Sequence, residues 1–588
     1  METSKTIRIG GGAGYWGDSV AGPVQLVQHG NLQYLMLEYL AELTMSILVR
    51  ARKKDPELGY ATDFVQDAMR RTLKDIVAKR IRVVTNAGGV NPSGCARALA
   101  KLADELGVQV KIAIVEGDDV MPCIDELREA DMRDMWSGET LPQGIASANA
   151  YLGAFPVARA FDAGADIVIT GRCVDSALVL GPLIHEFGWG ETDYDLLAAG
   201  SLAGHLIECG TQATGGIHTD WKSVPDWANL GYPIAECRPD GSFVLTKPEG
   251  TGGLVNRLTT GEQLVYEIHD PASYLLPDVT VDITQVRLTE IGRDRVLLEG
   301  ARGKPPTGKV KVSATFSDGW RCTVTRTVVG SEAVAKAERL SMELLAKCER
   351  LLAEMGLPPY AETCSEILGS ERSSFGPMAQ VSEPREVVLR VAVKHQDRRA
   401  TTLFAREVGP FGTGGPPGIS GSGGGRPDSQ PILRLFSFLL SREQLHPTVH
   451  LLGGEAFEVA FKSDTPFAEP MSSAGIAPEG KPGALPREGR LRDLAVGRSG
   501  DKGNTSNICL IARDPEQLPL LWSRVTPEWV RQQLGHLVKG SIDRYALPGS
   551  GSMNLVLQDA LGGGGMASLR NDPLGKTLAH ILLEAPLG

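Results

Sequence analysis

The chain has 588 residues, more than one hydrophobic core normally serves, so two to four domains of roughly 100–250 residues are expected. A net charge of −11 and the lack of a long Lys/Arg run argue against nucleic acid or an anionic membrane as the main partner, while a local arginine or a helix N-terminus still suits a small anion. No apolar stretch reaches the roughly 18 residues of a membrane span, the first residues lead into a strand without a signal-peptide run, and the nine cysteines are scattered and never spaced C-x-x-C, so the expectation is a cytoplasmic chain with no disulfide framework and no motif-supported metal site.

Ile7-Arg8-Ile9 is a short β-like run leading into Gly10-Gly11-Gly12-Ala13-Gly14-Tyr15-Trp16-Gly17-Asp18. Gly12, Gly14 and Gly17 match G-x-G-x-x-G, in which bare glycines let backbone N–H groups approach a phosphate and the following helix adds its dipole. The next β-like run, Leu32 to Leu37, ends at Glu38, about where a ribose-binding acid belongs. The same glycines also suit a plain tight turn, so the motif alone leaves both readings open. Tyr39 to Arg52 has helical spacing, with Leu40, Leu43, Ile47 and Leu48 on one side. A longer helix, capped by Thr62 or Asp63, runs towards Lys79, and the strand Ile81 to Thr85 opens into Asn86 to Asn91. Pro92 suits the first turn of a helix that stops at Gly107. The strand Val108 to Val115 closes on Glu116-Gly117-Asp118-Asp119. A helix from about Gln143 to Ala163 leads to the strand Asp166 to Thr170, which breaks into Gly171 to Ser176, and another helix starts near Asp175 and ends at Phe187. Strands alternating with helices imply a parallel sheet covered on both faces. Ligands bind such sheets at the strands' carboxyl ends, so Gly12 to Gly17, Glu38, Asn86, Asn91 and Arg172 to Ser176 are expected to share one crevice.

The loops Thr211 to Asp220 and Pro248 to Gly253 are either covers over a ligand or surface turns. From Val279 to Val329 the pattern becomes β alternation, as in Lys309 to Thr315 and Thr323 to Thr327, an antiparallel layer with one wet face. Ala333 to Met355 is an amphipathic helix stopped by Gly356. After the Ser/Gly/Pro segment Gly369 to Pro377 come strands near Glu386 to Val393 and Val449 to Phe461, separated by a Gly/Pro-rich loop, residues 409–427, that is expected to hold no regular structure. Thr465 to Glu488 reads as a linker. Beyond it a small α+β domain is expected, with a strand up to Ala495, a strand Asn507 to Ala512, a helix Pro527 to Leu537 and a strand Ser552 to Leu557. The fold class is α/β: a Rossmann-like, mostly parallel sheet with an antiparallel β layer, a mixed middle region and a small α+β C-terminal domain. The boundaries are 1–365, 378–465 and 489–588.

Several of these segments carry chemistry. Arg172 presents a planar fork suited to a carboxylate or to charge growing on a carbonyl oxygen. Asp175, at a helix start, serves either as the cap of that helix or as a general acid or base. Cys173 lies between them with no nearby signal of a lowered thiol pKa. His218 with Asp220, and Glu267 with His269 and Asp270, are further acid–base candidates. Arg498, Asp501, Lys502 and Asn504 are too dense in charge and glycine for a core strand, and form either a solvated turn or an arm reaching the first domain's crevice.

Taken together, Gly10 to Asp18, Tyr39-Leu40-Ala41-Glu42-Leu43-Thr44-Met45, Asn86-Ala87-Gly88-Gly89, Thr170 to Asp175, Tyr266-Glu267-Ile268-His269-Asp270-Pro271 and Arg498-Ser499-Gly500-Asp501-Lys502-Gly503-Asn504 resemble the acyclic terpene utilisation family, in the form with an amino-terminal α/β region and a carboxy-terminal ferredoxin-like domain. The resemblance implies catabolism of citronellol- and geraniol-like compounds through acyl-CoA thioesters; it brings no catalytic residues with it. The first functional expectation is therefore a lyase, hydratase or C–C lyase, acting on a branched acyl-CoA, with coenzyme A as part of the substrate and no redox cofactor. Gly12, Gly14 and Gly17 would take its pyrophosphate, and Asp175, Arg172, Glu267 and His218 are the catalytic candidates. The second is an NAD(P)-dependent oxidoreductase, from the glycine fingerprint and Glu38, weakened by the bulky Tyr15-Trp16 inside the loop. The third is a non-catalytic acyl-CoA-binding or assembly subunit. A homo-oligomer is expected on frequency alone.

Overall fold

Short apolar runs bounded by glycine, asparagine and aspartate make the centre of the molecule. The structure, a computed structural model, describes residues 5–41, 44–380, 383–421, 425–460, 466–483, 489–565 and 567–587. Strands β1 (Ile7–Gly11), β2 (Tyr34–Leu37), β3 (Arg82–Thr85) and β4 (Ile112–Glu116) are joined, after β5 (Ile145–Ala150), which pairs elsewhere, by β6 (Ile167–Thr170). They lie in the order β1-β2-β3-β6-β4, all parallel. Every residue of β2 and β6 is buried, as strands covered on both faces must be.

Helices α1 (Ala21–His29), α2 (Thr44–Lys54), α3 (Arg70–Lys79) and α4 (Pro92–Leu106) follow the first three strands. Of these α1, α3 and α4 cover one face, setting Leu26, Leu73 and Leu99 against Leu35, Val83 and Ile169. After the short α5 (Ile124–Glu129), helices α6 (Phe155–Asp162), α7 (Ala177–Phe187) and α8 (Tyr194–Ile207) cover the other, setting Phe161, Leu180 and Leu202 against Tyr34, Val84 and Val168. The chain thus leaves β3 for one face and its neighbour β6 for the opposite face. Their loops diverge, and the divergence opens a crevice at the carboxyl ends of the strands.

β7 (Ile234–Cys237) and β8 (Phe243–Thr246) add to β1 antiparallel, and α9 (Arg257–Leu264) follows. Next come β9 (Tyr274–Leu275), β10 (Thr280–Asp282), β11 (Arg287–Gly292), β12 (Arg295–Glu299) and β13 (Arg302–Lys304), then the 21-residue β14 (Lys309–Val329) and α10 (Ala333–Glu354). The middle region supplies β15 (Glu362–Leu368), β16 (Glu386–His395), β17 (Ile419–Gly421), β18 (Gln430–Ser441), β19 (Thr448–Leu451) and β20 (Phe457–Glu458). β11, β12, β19 and β20 extend the central sheet to 11 described strands. The last domain is β21 (Ala495–Lys502), β22 (Thr505–Ala512), β23 (Ile542–Leu547) and β24 (Ser552–Leu557), in the order β21-β22-β24-β23, all antiparallel. Its own core joins Leu510 and Leu555 of the sheet to Leu521, Leu534 and Leu582 of its helices. The chain is therefore α/β with antiparallel additions and a small α+β domain at its end.

Several expectations change. The helix expected over Gln143 to Ala163 is β5 followed by α6; the run Ile145-Ala146-Ser147-Ala148-Asn149-Ala150 has side chains small enough to pair with β14, and Ser147 and Thr315 share a hydroxyl hydrogen bond of 2.7 Å. Lys309 to Thr315 and Thr323 to Thr327 are two halves of β14, joined through a register shift between Ser317 and Trp320. β14 also pairs with β16, β17 and β18, so the boundary placed between 365 and 378 crosses a shared sheet. The Gly/Pro-rich stretch holds a helical turn, Phe411–Gly414, and β17, with residues 422–424 outside the described residues. Leu43 of the predicted helix and parts of the linker, 465 and 484–488, also lie outside them. The segment before Ala495 is a helical turn, Leu491–Leu494, and β21 begins where the strand was expected to end. Among the described residues no helix is long and apolar enough to cross a membrane.

Candidate functional site

β2 delivers Glu38 and β3 delivers Asn86 to the crevice. The Glu38 carboxylate accepts from the Leu40 amide (2.7 Å) and from Asn86 Nδ2 (2.8 Å), and Asn86 Oδ1 accepts from the Tyr39 amide (2.8 Å). β6 delivers Arg172, whose Nη1 lies 2.8 Å from Asp175 Oδ1 and 3.9 Å from Glu38 Oε1, with its guanidinium 4.2 Å from the centre of the Tyr151 ring. Asp118, from the loop after β4, accepts from the Arg172 amide (2.9 Å) and from Asn149 Nδ2 (2.8 Å). The loops of four strands thus meet around one buried arginine.

Burial, reinforced by Asp175 and opposed by Arg172, pushes the Glu38 carboxyl up to about 8. Glu38 then carries a proton at neutral pH and cannot compete with Asp175 for the guanidinium charge. Asp175 does not cap α7: the N-cap residue is Ser176, and no side chain caps that helix. Its side chain stays 29% exposed against 5% for Arg172, a carboxylate held from behind and open in front. Burial pushes the Cys173 thiol up to about 12, which removes its nucleophilic form at neutral pH.

A group with a raised folded pKa retains a proton that the unfolded chain has released, so its contribution to stability falls as pH rises through the interval between the two values. For Glu38 that interval runs from 4.5 to about 8. Glu38→Gln is expected to flatten the fall in stability across this range, by up to about 1.4 kcal/mol per pH unit. Thermal melts of both proteins between these limits check it; parallel curves would show that Glu38 titrates normally.

The glycine loop is not an open phosphate cradle. The Gly14 amide donates to Asp18 Oδ2 at 2.9 Å, where a phosphate oxygen would sit. A Cβ on Gly14 would come 2.6 Å from the Gly210 nitrogen, one on Gly11 2.1 Å from the Ile207 oxygen and one on Gly12 2.9 Å from Leu37 Cδ2. Gly17, at φ +97°, serves the turn itself. Gly11 and Gly14 instead let the segment that follows α8 cross close to the loop, which brings Glu208 and Cys209 to the crevice. Asn91 is the N-cap of α4, accepting from the Gly94 amide (3.0 Å) and donating to the Leu58 carbonyl (2.8 Å).

The opposite wall comes from the last domain and the loop it holds. Glu267 has a left-handed backbone at φ +58°, a conformation that costs of order 1–3 kcal/mol in a non-glycine residue and needs support. Asn507 Oδ1 accepts from the Glu267 amide (3.0 Å), Asn507 Nδ2 donates to the Val265 carbonyl (2.8 Å), and Asn554 Nδ2 donates to the carbonyls of Ile268 and His269 (2.7 Å each). The Glu267 carboxylate accepts from Lys502 Nζ (2.5 Å) and Lys576 Nζ (2.9 Å), and Lys576 also meets Asp501 (2.8 Å). Burial alone would raise Glu267, but the two ammonium groups override it and hold the carboxyl far below its usual range. Burial and Glu267 push Asp501 up to about 6. Burial, with Lys502 and Lys311, lowers the His269 imidazole to about 4, so it is neutral at physiological pH. The Trp136 ring lies edge-on to that imidazole at 5.5 Å.

Glu208 joins the two walls. Burial raises its carboxyl, the 3.2 Å contact with His205 opposes this, and Asp175 and Lys502 act on it with opposite signs. It therefore feels the charge of the loop after β6 and of β21 at once. The side chains of Asp175, Glu267 and Asp501 remain 29%, 20% and 18% exposed although protein surrounds them. Groups that are deeply set yet touched by solvent line a wet recess rather than a solid core.

His218 is not on that recess. Its Nδ1 is 2.8 Å from Glu262 Oε2, both side chains are closed to solvent, and Asp220, the partner expected for it, pairs instead with Arg513 (2.6 and 2.8 Å). Glu262 also meets Arg498 (3.2 Å), and together they hold its carboxyl below the usual range against burial. Asp270 binds Ser473 through its amide (2.8 Å) and hydroxyl (2.7 Å). The structure thus brings Glu38, Asn86, Arg172 and Asp175 together, sets Glu267 and His269 across from them, and leaves His218 and the glycines to scaffolding, while Asn91 both caps α4 and lines a separate cavity on the α4 side. Glu208, Lys311 and Lys576 were not anticipated. Glu208 alone had a legible signal, as an acid directly after the apolar end of α8.

A family model described as acyclic terpene utilisation family protein AtuA matches residues 7–451, and one described as the AtuA ferredoxin-like domain matches residues 489–588. No curated protein and no solved structure matches the chain. With the first match covering the sheets that build the recess and the second covering the domain that closes it, the chain belongs to the acyclic terpene utilisation family and has a role in acyclic terpene utilisation.

Proposed function

We propose that the chain is an enzyme of branched acyclic terpenoid acid catabolism that acts on an acyl-CoA thioester as a lyase, a hydratase or C–C lyase, with coenzyme A entering as part of the substrate and no redox cofactor. The observation that carries this reading is Asp175: a solvent-touched carboxylate fixed from behind by Arg172, facing a recess that also holds Glu208, Lys502 and the neutral imidazole of His269. Chemistry next to a thioester needs a group that moves a proton at the carbon chain and a positive group for the charge that grows on the thioester oxygen. In hydration, Asp175 takes a proton from water as its oxygen bonds to carbon, and a proton is returned to the carbon beside the thioester. Lys502 or Lys311 meets the developing oxygen charge. The Gly14 amide already bonded to Asp18, and Glu38 buried against Asn86, support this reading over a nicotinamide-dependent one.

The test is turnover of a panel of branched acyl-CoA thioesters by the purified chain, with products weighed by mass spectrometry for the gain or loss of one water or for cleavage. Asp175→Asn is expected to lower kcat by about 10²–10⁴-fold; because it also takes the charge partner from the buried Arg172, Tm is expected to fall and kcat is compared at a temperature where both proteins are folded. Undiminished turnover in that variant removes Asp175 from the chemistry, and an inert wild type across the panel ends the reading.

A further inference from the structure

On the α4 side of the divergence between β3 and β6 lies a second hollow, a cavity of about 420 Å³, within the range of roughly 300–1,000 Å³ typical of small-molecule sites. Arg52 of α2 and Arg97 of α4 line it, with Ser93 at the start of α4, Glu116 and Asp118 at the end of β4, and Asn149 of β5. The Arg52 guanidinium donates to the Val90 carbonyl, and Arg97 donates to Glu57 at 3.1 Å, so both cations are tethered at the rim. At the floor Asp118 and Asn149 are 4% and 3% exposed and bonded to one another. Asp118 also accepts from the Arg172 amide, so the floor of this cavity, on the loop after β4, is tied directly to the loop after β6 that carries the arginine of the recess.

We infer that this cavity receives the adenosine phosphate end of the CoA thioester, with Arg52 and Arg97 meeting phosphate oxygens and the carboxylate and amide floor meeting hydroxyl or amino groups of the nucleoside. The inference rests on the acyl-CoA reading above and deepens it. The loop carrying Gly12, Gly14 and Gly17 is filled by Asp18 and by the segment after α8, so a phosphate-bearing ligand needs another room. The cavity opens beside the loop of Arg172 and Asp175, and its walls hold both guanidinium donors and carboxylate acceptors, which suits a nucleoside phosphate and not a hydrocarbon chain. Two of its acids are already engaged: Glu116 accepts from the Ser93 hydroxyl at 3.0 Å, and burial pushes Asp118 up to about 7, which lessens repulsion of a phosphate.

The experiment is calorimetric titration of the full chain with 3′,5′-ADP, ADP and inorganic phosphate, using wild type, Arg52→Ala/Arg97→Ala and Asp175→Asn. Both arginines are exposed, so the double variant is expected to fold, which its melting curve checks. The nucleotides are expected to bind wild type and Asp175→Asn alike and the double variant at least about tenfold more weakly, as loss of a charged hydrogen-bond donor implies. Preference for 3′,5′-ADP over ADP points to coenzyme A rather than to another nucleotide. Equal affinity in the double variant, binding of phosphate alone, or thioester turnover with an unchanged KM in that variant would overturn the inference while leaving the lyase reading standing. Arginine-dependent nucleotide binding by a chain inert towards every thioester would sink the lyase reading and keep the nucleotide site.

Discussion

Arg498→Leu is expected to unseat the C-terminal domain and to cost about 3–5 kcal/mol of stability, the usual result of removing one partner from a buried ion pair. Arg498 is 2% exposed. Its guanidinium donates to Glu262 (3.2 Å), to Gln263 Oε1 (2.9 Å) and to the carbonyls of Gly216 (3.0 Å) and Gln212 (3.2 Å), all of them in the N-terminal region. Leucine would leave Glu262 closed to solvent without its guanidinium partner, held only by His218 and by the amide and hydroxyl of Thr219, with the carbonyls of Gly216 and Gln212 losing their donor. A chain with separate cores does not melt as one unit, so the readout is resolved by region: hydrogen exchange should speed up in β21, in α9 and in residues 210–220. Exchange unchanged in all three would show that the network is not what joins the domains. Loss at this site should also lower any activity of the recess, because Lys502 lies four residues further along the same strand.

Arg172→Met should have a comparable effect for a different reason. The guanidinium lies between Asp175 and the protonated Glu38, and without it Asp175 loses its charge partner while Glu38 is held still more firmly in its neutral form, again about 3–5 kcal/mol. Adding Glu38→Gln exchanges a protonated carboxyl for an amide, so little of the loss is recovered at neutral pH, and a coupling of about 0.5–3 kcal/mol is expected only above about pH 8, where Glu38 ionises beside Arg172. Chemical denaturation of the four proteins measures it. Additive losses above that pH would mean that Glu38 and Arg172 act independently, contrary to the geometry described.

The central sheet was legible because its strands are unbroken apolar runs that end in polar, glycine-rich loops, and the rule that such loops converge at the carboxyl edge brings Glu38, Asn86, Arg172 and Asp175 to one place. β5 was not legible, since Ala146, Ala148 and Ala150 favour a helix locally and only pairing with β14 makes them a strand. β21 was hidden by its own chemistry. Arg498, Asp501 and Lys502 look like a solvated turn until a partner surface supplies Gln263 and Glu267 for them. His218 illustrates the same limit: its partner Glu262 is 44 positions away, and Arg498 lies 236 beyond that, so nothing local distinguished the real partner from the nearby Asp220. The phosphate motif failed because close crossing of backbones and close approach of an anion both require glycine.

β14 sets how this chain can be divided. Its 21 residues extend for roughly 70 Å as a beam shared by segments from both ends of the N-terminal region, with β5 and β18 flanking its first half and β16 and β17 its second. A truncation ending anywhere between 330 and 430 would strip one side of that beam and expose a row of unpaired amides, a template for aggregation. Truncations in the Pro-rich stretch 466–483 leave the beam fully clothed. A deletion series across the two intervals should therefore separate into products that have lost the pairing of β14 and aggregate, and products that keep it and lack only what the last domain gives the rest of the chain, the partners of Glu262 and of the Glu267 loop and part of the core.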